Sequence, residues 1–180
     1  MDLALRPARP SDVAEIMRLE RAGFAEAIRE TEATFAERLA AAPEGCWVLD
    51  AGGGRLSGYL CAEFWPLAER IDPHRFARDH AAGGAHTLSG EEIYVSSMVV
   101  DPATRGTGWG RRLFRDALAA MAARHPQLQS VILIVHPHWH AARRIYSAEG
   151  FVETGEVPAY FDGGECTGRL AAIVMRRPRA

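Results

Sequence analysis

The chain has 180 residues, an apolar fraction of 48% and a formal net charge of −2 at pH 7. This length and composition predict a single globular domain over residues 1–180, large enough to enclose a sizeable core. The small net charge gives no electrostatic footprint for nucleic acid or for an anionic membrane, so neither is expected as a partner. No apolar run approaches the roughly eighteen residues that a membrane-spanning helix needs.

The first half of the chain predicts two helices and an antiparallel hairpin. Asp12 followed by Glu15 has the spacing of a capping box for the first helix. The three glycines at 52–54 predict a turn between two strands. The predicted elements are a strand at 3–6, helices at 12–24 and 32–42, and strands at 46–50 and 56–65.

Residues 66–90 interrupt this pattern with two prolines, a glycine pair and several histidines. A segment of this length inside a compact domain is either a functional loop or a mobile excursion of the surface, and both interpretations stay open. A helical turn is expected around His74 to His80.

The second half alternates predicted strands and helices, which implies a parallel pair of strands. The continuous apolar run at 131–135 is typical of a strand covered on both faces, and Gly150 suits the residue after a helix. The predicted elements are a strand at 92–100, a helix at 108–124, a strand at 130–135, a helix at 139–149, and a hairpin of strands at 152–160 and 169–176 across a turn at 162–164.

The loop between the strand at 92–100 and the following helix contains Gly106, Gly108 and Gly110, with Arg105 before them and Arg111 after them. Glycines let a ligand approach the backbone amides closely, and the first turn of a helix adds further unpaired N–H groups. The loop therefore predicts an anion site, with phosphate as the best candidate. It is not a nucleotide-binding P-loop, because that motif needs a lysine and the chain has none.

Two motifs in this half of the chain resemble those of a known family. Arg105-x-x-Gly108-x-Gly110, after a strand that ends Val-Val-Asp-Pro, resembles the acetyl-CoA pyrophosphate loop of the GNAT superfamily of N-acetyltransferases. Tyr146-x-x-x-Gly150-Phe151 resembles its second signature. The resemblance implies an α/β (α+β) fold with a mixed, mostly antiparallel twisted sheet of about seven strands. A central parallel pair would splay around acetyl-CoA, and about four helices would flank the sheet.

The resemblance also implies acetyl-CoA as co-substrate and no metal. The residues expected to contact the cofactor are Met98, Val99, Val100, Arg105, Gly106, Thr107, Gly108, Trp109, Gly110, Arg111 and Trp139. Trp139 stands where many members of the family carry an asparagine that touches the cofactor. In the superfamily the region before the central strand often faces the acceptor, so residues 66–90 are expected on the substrate side.

Direct acetyl transfer to an amine needs a base for the ammonium and an acid for the departing thiolate. Tyr146 is the expected acid, since a phenol near pKa 10 is reasonably matched to a thiol near 8.5. Glu92 is the expected base, with Glu91, Ser96, His136 or a chain of water molecules as alternatives. None of the cysteines has the setting of a nucleophile, so no covalent enzyme intermediate is expected.

His136, His138 and His140 form a His-x-His-x-His run at the end of a predicted strand. No carboxylate or cysteine lies near them in the sequence, which disfavours a metal site. One of them is more plausible as a base or as a contact for the substrate.

The acceptor is expected to be the primary amine of a small molecule, such as an aralkylamine or a polyamine. The Gly-Trp-Gly loop at 108–110 resembles the arylalkylamine N-acetyltransferases, although Tyr94 and Ser96 stand where that branch has paired histidines. Residues 150–163 instead resemble the ribosomal-protein alanine N-acetyltransferases, although Ile134 stands near the position of their catalytic glutamate. The N-terminal amine of a protein is therefore one alternative, and a non-catalytic acyl-CoA-binding module is another. A homodimer through the C-terminal hairpin is expected by analogy.

Cys46, Cys61 and Cys166 are odd in number and widely spaced, unlike a disulfide framework or a zinc site. The N-terminal stretch is too short and too soon followed by charge to be a signal peptide. Both features predict a reducing, cytoplasmic setting.

Overall fold

The computed structural model describes residues 3–78, 80–162 and 168–178. Cys166 and most of the turn predicted at 162–164 lie outside the described residues. The strands are β1 (Ala4–Pro7), β2 (Trp47–Asp50), β3 (Leu56–Trp65), β4 (Glu92–Val100), β5 (Ser130–Val135), β6 (Val152–Asp162) and β7 (Arg169–Pro178). The helices are α1 (Val13–Gly23), α2 (Glu32–Ala41), the short α3 (Ala82–Ala85), α4 (Trp109–Arg124) and α5 (His140–Ala148).

In the described part of the chain the strands form one sheet of seven, in the order β1-β2-β3-β4-β5-β7-β6. The β4–β5 pair is parallel and every other neighbouring pair is antiparallel. The predicted fold is thereby confirmed, with α1, α2, α4 and α5 as the four longer helices.

Alternating side chains of β3 build the two sides of the core. Leu60, Ala62 and Phe64 pack with the buried face of α4, whereas Tyr59 and Cys61 pack with α1 and α2. This alternation follows from the two-residue repeat of a strand, which sends successive side chains to opposite faces of the sheet. Helices therefore cover both faces, and the central strands are buried between them.

The parallel pair separates halfway along its length. Pairing of β4 with β5 runs from Glu92 opposite Ser130 to Val95 opposite Leu133 and stops there. The register of β3 against β4 shifts at the same point, because Ala62 lies opposite Val95 and Cys61 lies opposite Ser97. Such a bulge bends a strand and increases its twist. Residues 96–100 of β4 consequently border an opening on the side where β5 has diverged.

The capping box predicted at Asp12 and Glu15 is wrong. The Asp12 carboxylate makes no cap to α1; it accepts from Arg6 Nη1 at 2.7 Å and from the Arg9 backbone N–H at 2.7 Å. The Glu15 carboxylate accepts from the Leu56 N–H at 3.1 Å, across from the start of β3. Both carboxylates are thus used to join separate segments.

The segment at 66–90 is attached to the sheet through a buried carboxylate. Glu63 on β3 is fully buried and lies 2.8 Å from His80 Nε2 and 3.3 Å from Arg38 Nε. The Trp65 indole N–H also donates to Glu63, at 2.9 Å. The predicted helical turn is present as a single 3₁₀ turn at Pro73–Phe76.

This attachment predicts a pH dependence of stability. Burial opposes the charged form of His80, but the hydrogen bond and the charge of Glu63 outweigh it and raise the pKa of His80. The stabilisation is complete below the unfolded-state pKa of about 6.5 and is lost as the pH rises through the folded-state pKa. We expect the urea concentration at the unfolding midpoint to decrease as the pH is raised from 6 to 9, and to decrease less in His80→Gln than in the wild type. The exposed His74 supplies the control His74→Gln; an equal pH slope in wild type and His80→Gln would contradict the prediction.

Candidate functional site

An open cleft of about 500 Å³ lies where β4 separates from β5. Its floor is the end of β4 at Met98, Val99 and Val100, and one wall is the glycine loop that leads into α4. The opposite wall is α5, through Ala141, Ala142, Ile145 and Tyr146. The two sequence motifs are therefore brought face to face across a single cleft.

The glycine loop presents its backbone amides to this cleft. Gly106 and Gly108 have φ of 77° and 86°, in the left-handed region that strains other residues. Gly108 is also the N-cap of α4. The first turn of α4 begins at this loop, and the first N–H groups of a helix have no intrahelical acceptor and are available to an anion. This arrangement suits a pyrophosphate.

Charge around the loop is also positive. Arg105 and Arg111 both line the cleft, and Arg111 Nε pairs with Glu149 at 2.5 Å across to the end of α5. Thr107 and Trp109 were also predicted as cofactor contacts, but their side chains contact the protein itself. The Thr107 hydroxyl donates to the Thr104 carbonyl at 2.6 Å, and the Trp109 ring packs against the core beneath Arg112.

Substitution of Gly108 should weaken cofactor binding through the backbone. No atom lies within 4 Å of a Cβ added at Gly108, so Gly108→Ala meets no clash and acts through its positive φ. We expect KM for acetyl-CoA to rise by about tenfold as the amides turn away from the pyrophosphate. Gly53→Ala is the matched control, because Gly53 also has a positive φ and open space, in the remote β2–β3 turn. Equal KM values in the two variants would contradict the prediction.

Tyr146 lies on the α5 wall with its ring against Phe114 and Phe151, at centroid distances of 5.2 and 6.0 Å. Its hydroxyl has no hydrogen-bond partner among the described residues. Desolvation raises the pKa of Tyr146 to about 12. The phenol therefore stays protonated at neutral pH and is free to donate within the cleft.

A second, smaller cavity of about 80 Å³ adjoins the cleft, and Phe24 lines both. We call it the inner cavity. Its polar residues include Glu20, Glu30, Ser96 and Ser97, and its apolar residues are mainly aromatic. Trp139 lines this cavity rather than the cleft, because it precedes α5 and its ring stacks on Phe24 at 5.6 Å. The tryptophan predicted as a cofactor contact is thus placed beside the inner cavity.

Glu20 is a buried carboxylate at the wall of the inner cavity. It is 1% exposed and accepts hydrogen bonds from the Tyr59 hydroxyl and, at 2.9 Å, from the Glu30 backbone N–H. Tyr59 is 2.8 Å from the Ser97 hydroxyl, so three side chains form a connected polar chain. Burial raises the pKa of Glu20, although the hydrogen bonds from Tyr59 and Glu30 act in the opposite direction. A carboxylate with a raised pKa beside a cavity is suited to accept a proton.

The sequence analysis missed Glu20, although a signal was present. Ile16, Leu19 and Glu20 share the buried face of α1, and an acidic residue at an i+4 position in an apolar stripe needs a partner or a function.

Glu92 lies outside the site. It is six residues before Met98, or about 20 Å along a strand that rises about 3.3 Å per residue. Its fully buried carboxylate pairs with Arg176 Nε at 2.8 Å and accepts from the Ser130 hydroxyl at 2.7 Å. Glu91 lies at the same far end, bound by the Gln129 amide. Both carboxylates are therefore held by contacts at the end of β4 that is remote from the cleft.

The other residues predicted as candidates for the base, Ser96 and His136, lie closer to the inner cavity than Glu91 and Glu92 do. Ser96 lines the inner cavity, but its hydroxyl donates to the Cys61 carbonyl at 3.1 Å. The His136 ring stacks on Trp139 at 5.5 Å and packs on Phe161 at 4.7 Å, and desolvation lowers its pKa. Within the residues that the structure describes, no group of three or more His, Cys, Asp or Glu side chains is placed to hold a metal ion.

The comparisons with known proteins agree with this geometry. A model of the acetyltransferase (GNAT) family matches residues 13–151, which is more than half of the chain. The chain therefore belongs to the GNAT acetyltransferase family, a class of acyl-transferring proteins. A search of curated protein sequences finds no match.

Solved structures show the same fold at low identity. A GphF GNAT-like decarboxylase in complex with isobutyryl-CoA is similar at a TM-score of 0.77 and 22% identity, over 97% of this chain and 98% of that one. The ribosomal-protein-S18-alanine N-acetyltransferase from Escherichia coli is similar at 0.71 and 20%, over 98% and 94%. A phosphinothricin acetyltransferase from Sinorhizobium meliloti in complex with AcCoA is similar at 0.67 and 21%, over 99% and 89%. Family membership and neighbours with bound CoA support a CoA thioester as the co-substrate of this chain.

No helix in the described ranges has the length and apolar character needed to cross a membrane.

Proposed function

We propose that the protein transfers an acetyl group directly from acetyl-CoA to the primary amine of a small molecule. The observation that carries the proposal is the junction of the cofactor cleft with the inner cavity. The cleft holds the amide-rich loop and the free phenol, and the inner cavity holds a buried carboxylate. Phe24 lines both spaces, so a thioester carbonyl in one would lie beside an amine in the other.

Glu20 is the base in this reaction. An amine arrives as an ammonium ion and must lose a proton before its lone pair attacks the thioester carbon. The Glu20 carboxylate accepts that proton, directly or through the hydroxyls of Ser97 and Tyr59. The N–C bond then forms and negative charge develops on the carbonyl oxygen. Successive N–H groups of β4 alternate between β3 and the open edge, and that of Asp101 donates to the Ser57 carbonyl on the β3 side. The N–H groups of Met98 and Val100 therefore face the open edge, where they can stabilise this charge.

Tyr146 is the acid. When the tetrahedral intermediate collapses, the C–S bond breaks and its electron pair stays on the sulfur of CoA. The Tyr146 hydroxyl donates its proton to this thiolate. The nitrogen loses its second proton as the amide forms, and that proton restores the phenol, while Glu20 releases the ammonium proton to solvent. The described cysteines, Cys46 and Cys61, are both buried and line neither the cleft nor the inner cavity, so the proposed transfer uses no acyl-enzyme.

The size of the inner cavity supports a small acceptor. Ile28, Arg78 and Tyr160 are part of its lining, and its volume beside Glu20 is about 80 Å³. That volume suits an aminomethyl group better than the backbone of a folded protein's N-terminus. The aromatic side chains of Phe24, Trp139 and Phe161 give an ammonium or an apolar chain a favourable surface.

The experiment is thiol release from acetyl-CoA with a panel of aralkylamines, polyamines, amino acids and short peptides. Release with a small amine, and N-acetylation shown by mass spectrometry, is the expected result. Release with peptides alone would replace the small-molecule proposal by a protein N-terminal acetyltransferase. Binding of CoA without release from any acceptor would overturn the enzyme and favour a non-catalytic module. Malonyl-CoA without an amine tests for decarboxylation in parallel.

A further inference from the structure

Outside the inner cavity lies a third space of about 410 Å³, which we call the outer cavity. Glu30, Arg78 and Tyr160 line both the inner and the outer cavity, so the two cavities adjoin across these side chains. An acceptor whose amine reaches Glu20 from this direction would leave its other end in the outer cavity.

The outer cavity is positively charged. Arg29, Arg78 and Arg169 line it, and none of the three has an ion-pair partner in the described ranges. Arg29 donates to the Phe24 carbonyl at 2.8 Å, and Arg78 donates to the Ala27 carbonyl, so both are positioned but not neutralised. Three guanidinium groups around one space attract an oxyanion, and a guanidinium can donate two parallel hydrogen bonds to such a group.

The acidic residue at this wall does not cancel the charge. Both carboxylate oxygens of Glu30 are bound by Arg38, at 2.6 Å from Nη1 and 2.8 Å from Nη2. Arg38 is itself fully buried, so the Glu30 charge is directed inward and is already paired.

The backbone of β6 is bent over the same space. The register of β6 against β7 shifts between Val157 and Phe161, and Ala159 within this bulge has φ of 52°. A residue other than glycine in the left-handed region stores strain, which is found most often where the chain shapes a binding site. The bulge places Pro158, Ala159 and Tyr160 on the outer cavity.

We infer that the acceptor amine carries an oxyanionic group, a carboxylate or a phosphoryl group, which the arginines of the outer cavity bind while the amine faces Glu20. The inference rests on the proposed function and narrows its substrate class. It disfavours polyamines, because a second ammonium would lie among three guanidinium groups.

The test compares acceptors that share an amine and differ at the far end. One set is 4-aminobutanoate, butylamine and 1,4-diaminobutane, and a second set is O-phosphoethanolamine and ethanolamine. We expect kcat/KM to be about tenfold or more higher for the anionic member of a set. The set with the larger ratio distinguishes a carboxylate from a phosphoryl group. Equal values, or a preference for the diamine, would overturn the inference.

Substitutions of the arginines test whether the preference for an anionic acceptor arises in the outer cavity. Arg78→Gln and Arg169→Gln should each lower the ratio of kcat/KM between the anionic and the neutral member by about fivefold or more. Arg169 is exposed and forms no ion pair within the described ranges, which keeps the test usable if Arg78→Gln unfolds. Arg55→Gln is the control, since Arg55 is 59% exposed at the β2–β3 turn. An unchanged ratio in both cavity variants would overturn the inference.

Calorimetric titration of the CoA complex with 4-aminobutanoate and O-phosphoethanolamine separates the two proposals. Binding that is lost in Arg169→Gln, without acetyl transfer to any amine, would sustain the oxyanion site and overturn the proposed function. Acetyl transfer without preference for an oxyanion would sustain the proposed function and overturn the oxyanion site.

Discussion

Glu20→Gln is expected to lower kcat/KM for the amine by about 10²- to 10⁴-fold, the range typical of a lost general base. Glutamine has the same shape and still accepts a hydrogen bond from the Glu30 N–H, but its amide does not take up the ammonium proton. Steady-state kinetics with a saturating concentration of acetyl-CoA measure the loss.

The pH profile separates a base from a structural residue. Because burial raises the pKa of Glu20, kcat/KM in the wild type should rise with pH through a pKa above the usual 4.5. This limb should disappear in Glu20→Gln. Glu15→Gln is the matched control on the same helix, with a carboxylate that faces Arg18 and the Leu56 N–H. A loss below about threefold, or an unchanged acid limb, would refute the role of Glu20.

Tyr146→Phe is expected to lower kcat by about tenfold or more at neutral pH, with little change in KM for acetyl-CoA. The phenyl ring keeps its packing on Phe114 and Phe151, so the variant removes the proton and little else. The hydroxyl of the wild type holds its proton because desolvation raises the pKa of Tyr146 to about 12.

The deficit of Tyr146→Phe should narrow as the pH rises above the thiol pKa of about 8.5, because a stable thiolate needs no acid to leave. Tyr94→Phe is the control, since Tyr94 is a buried tyrosine that stacks on Trp65 at 4.0 Å, away from the cleft. A deficit that is the same at pH 7 and pH 9.5 would show that the hydroxyl acts by packing or positioning.

The parts of the site that could be predicted from the sequence are those made by neighbours in the chain. The loop from Arg105 to Arg111 is one example, since a strand, a glycine turn and a helix N-terminus are consecutive. Its chemistry is carried by backbone amides, so the spacing of glycines is enough to reveal it. The same holds for Tyr146 in its helix before Gly150.

The roles of the Glu92 and Glu20 carboxylates could not be predicted from their neighbours in the chain. Glu92 begins the strand that ends in the cleft, and the residues next to it in the chain do not show how far its carboxylate lies from the cofactor. Only the separation of β4 from β5 after Val95 and Leu133 places the opening at the far end. The position of Glu20 in an apolar stripe is visible in the sequence, but its partner is not, because Tyr59 is 39 residues away in the chain and meets Glu20 only when α1 packs on β3.

The sequence by itself therefore determined the order of the strands and helices and the anion-binding loop of this protein, because strand and helix periodicity and turn chemistry are local properties. The family and the fold class followed from the resemblance of two sequence motifs to those of the GNAT superfamily. The tertiary structure decided which carboxylate serves as base, where Trp139 lies and how the arginines gather at the outer cavity. These depend on contacts between segments far apart in the chain, and the register and splay of the sheet, which no single segment encodes, set those contacts.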